Sequence, residues 1–85
     1  MQFDYTSDIL NKALQNYVVY FTYQKNGKFR HALGTNVLSV VPTDKHLNGI
    51  RIPSSEIVTY YDLQKKEYRS FRKELFGTIV YVFVP

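Results

Sequence analysis

The sequence predicts a mainly β fold, a small barrel of five or six short strands with one short N-terminal helix. Three observations predict it. β-branched and aromatic residues cluster in short runs separated by turn residues. Asn26-Gly27 divides two such runs, and Asn-Gly is a strong hairpin signal because a type I′ turn needs φ > 0 at both central positions. Eight Tyr and six Phe stand among 85 residues. Each aromatic can bury roughly 150–250 Å², which matters in a single domain that hides only about 60% of its unfolded surface.

The elements follow in order. Thr6 or Ser7 caps a helix over 7–15, with Asp8 in its first turn and Ile9, Leu10, Ala13 and Leu14 as an apolar stripe at helical spacing. From Tyr17 the spacing turns to that of a strand, Tyr17 to Tyr23, and the turn at Asn26 and Gly27 sets a register. Tyr23 meets Arg30, Phe21 meets Ala32 and Val19 meets Gly34 on one face, while Tyr20, Leu33, Thr22 and His31 share the other. Large residues opposite Ala and Gly suit the cramped interior of a strongly bent barrel.

Val37 to Val41 reads as a short strand ended by Pro42, Thr43 to Gly49 as a loop, and Ile50 to Ile52 as a brief strand stopped by Pro53. Ser54 or Ser55 with Glu56 forms a turn or a helical half-turn. Ile57 to Leu63 is a strand, Gln64 to Glu67 its turn and Tyr68 to Arg72 the return. Lys73 to Phe76 makes one helical turn, and Gly77 releases a last strand, Thr78 to Val84. One domain over 1–85, with its barrel at about 17–84, is the pattern of an SH3-like small barrel.

Val19-x-Phe21-Thr22, the Asn26-Gly27 hairpin with Arg30, Thr35 with its downstream apolar run, and Asp62-Leu63 followed by Tyr68-Arg69-Ser70-Phe71-Arg72 carry a family resemblance over about residues 17 to 76. They resemble a family of very short SH3-like barrel proteins of unassigned function from gut bacteria and crAss-like phages. In that family the aromatic before Arg-Ser-Phe-Arg is typically Trp, where this chain has Tyr68. The second hairpin is also similar to the WYL domain of bacterial transcription regulators, an SH3-like ligand-sensing barrel whose relatives are thought to bind nucleic acid or nucleotide-like ligands. The Trp-Tyr-Leu signature of that domain is not present. The resemblance implies a barrel of bacterial or phage origin.

Charge is distributed unevenly. Eleven Lys and Arg stand against seven Asp and Glu, a formal net charge of +4. Residues 24–31 carry Lys25, Lys28 and Arg30 without an acid, and residues 65–73 carry Lys65, Lys66, Arg69, Arg72 and Lys73 against Glu67 alone. The rest of the chain is net acidic, and such polarisation favours an anionic partner. Solvated turns rich in Lys are the plainer explanation.

Catalysis is not expected. Asp44-x-His46 lacks a third metal ligand at a suggestive spacing, the four Gly form no phosphate-cradling loop, and Ser54-Ser55 has no base nearby. With no Cys, disulfides and thiolate metal sites are excluded. No apolar run approaches the ~20 residues of a membrane helix, and the start of the chain lacks the charged leader and apolar core of a secretory signal. The expectation is a cytoplasmic, non-enzymatic binding module without a cofactor.

The leading reading is recognition of an anion such as nucleic acid by Lys28, Arg30, Lys65, Lys66, Tyr68, Arg69 and Arg72. Phe71 would point inward, leaving Tyr68, Ser70 and Arg72 outside and Arg69 near the rim. The structural alternative pairs Tyr68 with Tyr60 or Tyr61 and Arg69 with Asp62 across the hairpin. A second functional reading is a protein-interaction module, since Ile79 to Val84 is apolar on both faces. Such a strand is either buried on both sides or a sticky edge that a homo-oligomer would cover.

Overall fold

The computed structural model describes residues 7–46 and 56–85. One α-helix, α1 (Ser7–Asn16), is followed by β1 (Val18–Lys25), β2 (Lys28–Thr35), β3 (Ile57–Asp62), β4 (Glu67–Arg72) and β5 (Phe76–Phe83). The strands form a single antiparallel sheet in the order β4-β3-β2-β1-β5.

The first hairpin has the register its turn dictates. Asn26 and Gly27 both take positive φ, 54° and 75°, and Val19 faces Gly34, Phe21 faces Ala32 and Tyr23 faces Arg30. β2 then passes to β3 through only two pairs, Gly34 with Asp62 and Thr35 with Tyr61. Here the sheet folds back on itself, and Gly34 permits the approach. A Cβ at that position would lie 2.5 Å from Tyr60 Cδ2 and 3.2 Å from the Tyr61 carbonyl oxygen.

Fold-back brings the inward aromatics of β1 against those of β3 and β4. Phe21 meets the Tyr60 ring edge-on at 5.0 Å, and Tyr23 stacks on Phe71 at 4.8 Å. Leu10 and Leu14 close the core from the helix, joined by Val19, Ala32 and Val58. Ile9, the remaining large member of the helical stripe, is exposed.

The C-terminus of α1 is tied to the sheet by polar groups. The backbone N–H of Asn36 donates to the Leu14 carbonyl at 2.7 Å, and the buried Thr35 hydroxyl donates to the Tyr17 carbonyl at 2.8 Å. These bonds satisfy carbonyls that a helix end leaves without intrahelical partners.

Several sequence expectations need correction. Val37 to Val41 is a turn, with Val40 and Val41 both donating to the Val37 carbonyl, and not a strand. The apolar run is rich in β-branched residues, but the chain uses it to turn out of β2, with Val41 buried and Leu38 exposed. The second hairpin turn runs from Leu63 to Lys66, so Leu63 leaves the strand and Glu67 enters the next one. The helix runs one residue beyond Gln15, to Asn16. The brief strand Ile50 to Ile52 and the cap at Thr6 lie outside the described residues.

His46 ends a 3-10 turn, Thr43–Lys45. Its Nε2 lies 2.9 Å from the carbonyl oxygens of both Leu38 and Val41. The ring thus pins the loop after β2 and is turned toward backbone.

Candidate functional site

Asp62 builds the second hairpin turn. Its buried carboxylate accepts hydrogen bonds from the backbone N–H groups of Gln64 and Lys65 at 2.9 and 2.8 Å, while the Lys66 N–H donates to the Asp62 carbonyl at 2.7 Å. Lys66 takes φ 59°, closing the turn in the left-handed region. The acid is spent on the backbone, and Gln64, Lys65 and Lys66 stand exposed in the turn.

Arg69 lies cross-strand from Tyr60, and its Nη1 donates to Glu67 Oε1 at 3.2 Å. Its ion pair is therefore with the residue two before it on β4, and not with Asp62 as the structural alternative had it. Tyr68 does follow that alternative. It faces Tyr61 across the hairpin, the rings meeting edge-on at 5.2 Å. Arg72 Nε donates to Glu74 Oε1 at 2.6 Å, and this bond holds the exposed Glu74 carboxyl below its usual range.

Sheet curvature brings the two basic hairpins together. An open cleft of about 560 Å³ is lined by Lys25, Arg30 and His31 from the first hairpin and by Asp62, Lys65 and Arg69 from the second. Phe29, Gln64 and Tyr23 complete the wall. A neighbouring cleft of about 480 Å³ runs along β4 from Glu67 to Arg72 and shares Tyr23, Lys25 and Arg69 with the first. Four cations thus face the first cleft, opposed by Asp62, whose carboxylate is already hydrogen-bonded.

Of the residues picked from sequence, Arg30, Lys65 and Arg69 line the first cleft, Tyr68 and Arg72 line the second, and Lys28 and Lys66 line neither. Lys28 closes the first hairpin opposite Lys25. Sequence reasoning undervalued Lys25 and passed over Phe29 and His31. The missed signal was the predicted register itself, since alternation along β2 puts 29 and 31 on one face. His31 also stacks on Tyr20 at 5.7 Å and 13° between ring planes.

Beneath the cleft, burial pushes the Tyr60 phenol well above its ordinary value, and a hydrogen bond with Tyr23 adds to the effect. Tyr60 is neutral at physiological pH and belongs to the core. No cluster of three or more potential metal-ligating side chains occurs among the described residues.

A family model described as WYL_2, Sm-like SH3 beta-barrel fold, matches residues 7–76. The chain belongs to that family. WYL_2 membership includes α1, where the resemblance read from sequence began only at Tyr17, and the matched span ends at Phe76, where β5 starts. No curated protein and no solved structure matches the chain. What WYL_2 establishes is the small barrel; the chemistry of its clefts rests on the side chains of this chain.

Proposed function

We propose that this WYL_2 domain is a non-enzymatic binding module that recognises an anionic polymer, nucleic acid, across the cleft between its two basic hairpins. The observation that carries the reading is the convergence of Lys25, Arg30, Lys65 and Arg69 on one cleft, from two hairpins distant in sequence. Lys and Arg neutralise phosphates and release counterions, giving affinity that falls with salt. Phe29 and His31 also line the cleft, from the face of β2 opposite Arg30, and offer ring faces on which a base can stack, worth roughly 1–3 kcal/mol per base. Arg69 keeps guanidinium donors beyond the one that meets Glu67, because the group carries five N–H donors in a fixed fork.

Fluorescence anisotropy with labelled DNA and RNA oligonucleotides at several salt concentrations tests this. Four phosphate contacts predict a log–log salt slope of about −3 to −4. The double variant Lys65→Ala, Arg69→Ala should lower the magnitude of that slope by about 1.4–1.8 and weaken binding without altering the far-UV circular dichroism. Parent-like binding by the folded double variant would refute the cleft assignment.

A further inference from the structure

β5 is an edge strand of the described sheet, paired only with β1 there, and it is long, apolar and uncharged. No Asp, Glu, Lys or Arg occurs from Phe76 to Pro85. Val80, Tyr81, Val82, Phe83 and Val84 expose 51, 61, 39, 44 and 84% of their surfaces. Edge strands in soluble proteins ordinarily carry charge, an inward-pointing Lys or a proline that blocks further pairing. β5 has a bulge between Ile79 and Tyr81, at Val80, against Phe21 and Tyr20 of β1, but beyond it the four residues 81–84 carry none of these guards before Pro85.

We infer that β5 is the dimer interface of this protein, pairing antiparallel with β5 of a second copy through Val80–Val84 about a two-fold axis at Val82. This register sets Val82 against its own mate, Tyr81 against the partner's Phe83 and Val80 against the partner's Val84. Aromatic meets aromatic on one face and valine meets valine on the other, the pairings that stabilise antiparallel ladders. Tyr81 and Phe83 already lie together on one face of the strand, their ring centroids 4.8 Å apart.

A second copy is the occupant for three reasons. A strand without charge that is apolar on both faces is complementary to itself, and a two-fold interface requires that self-complementarity. The free backbone edge of this segment is satisfied by a second copy of the same segment, because antiparallel pairing exchanges N–H and C=O groups between directly opposed residues. Finally, Phe83 pairs with Val18 at the start of β1, while the basic hairpin tip lies at its far end. The joint therefore keeps the two positively charged clefts apart and leaves both open.

Light scattering on eluting protein over a wide concentration range tests the pairing, with cross-linking of Val82→Cys under mild oxidation as an independent measurement. The chain has no native Cys, and directly opposed residues of an antiparallel pair lie about 4.5–5.5 Å apart at Cα, within disulfide reach. The expected results are a two-chain mass that dissociates on dilution, rapid disulfide formation at position 82 but not in a Phe76→Cys control, and a one-chain mass for Tyr81→Lys, Phe83→Lys with unchanged circular dichroism. A one-chain mass at every concentration overturns the inference, whether β5 amides exchange freely or are protected by another segment of the same chain. Masses that grow beyond two copies overturn the two-fold register. Either failure leaves the nucleic-acid reading untouched, because the cleft is lined by residues of β1 to β4 and the second hairpin turn and by none of β5.

Discussion

The two outer strands of this sheet solve the same problem in opposite ways. β4 carries Glu67, Arg69 and Arg72 in six residues, and its buried Phe71 is gripped by Phe21, Tyr23 and Tyr60. β5 has eight residues and no charge, and most of its side chains stand in solvent. β4 is thus guarded by ions and anchored by a ring, whereas β5 is held mainly by its ladder to β1. An open sheet can separate an electrostatic surface from an apolar one by assigning each to a different edge. The proposed cleft beside β4 and the proposed joint along β5 are consequences of that division.

Stability measurements sharpen the contrast most directly. Phe71→Ala should cost about 3–5 kcal/mol in denaturant unfolding, the range for removing a buried aromatic. In dilute solution Phe83→Ala should stay within about 0.5 kcal/mol, as for surface positions. Equal effects at the two sites would mean that β5 is packed in the monomer and that the edges do not differ.

Gly34→Ala probes the fold-back that separates the two edges. The added methyl meets the Tyr60 ring at 2.5 Å, and Tyr60 is held by Phe21 and Phe71, so relief must come from shifting the core. Overpacking of this kind typically costs about 1–3 kcal/mol. A stability close to that of the parent would show that the β2–β3 crossing has slack.

Alkaline pH gives a smaller and more graded test. The Tyr60 phenol is raised in the folded state, so that state keeps its proton more tightly than the unfolded chain does. Stability is therefore intact below the ordinary phenol value near 10 and falls above it, by up to about 1.4 kcal/mol per pH unit. Tyr60→Phe should flatten that decline, at the expense of the hydrogen bond with Tyr23. An unchanged pH profile in the variant would remove Tyr60 from the alkaline transition. The smallest expected change is in the stability of Lys65→Ala, Arg69→Ala, within about 0.5 kcal/mol in thermal or denaturant unfolding, since exposed ion pairs such as Arg69 with Glu67 contribute little.

Local chemistry was legible in the order of residues. The first hairpin and its register follow from Asn26-Gly27 and a period of two, because both are decided by nearest-neighbour sterics. The helical stripe of Leu10 and Leu14 and the inward Phe71 follow from periodicity alone. Val37 to Val41 misled because the same β-branched composition suits a strand and a turn that buries one valine, and only its packing against the rest of the chain separates them.

Charge clustering was equally visible in the sequence, but the membership of the cleft was not. Whether Lys25, Arg30, Lys65 and Arg69 converge depends on how sharply the sheet folds at Gly34. The apolar character of β5 is likewise written in its residues, while its place at the rim is not. Sequence by itself determined the helix, the two hairpins with their pairing across short turns and the blocks of charge, since each arises within a few residues. Tertiary structure alone decided which basic groups share a cleft and which strand is left at an edge, because both are set by contacts between segments tens of residues apart.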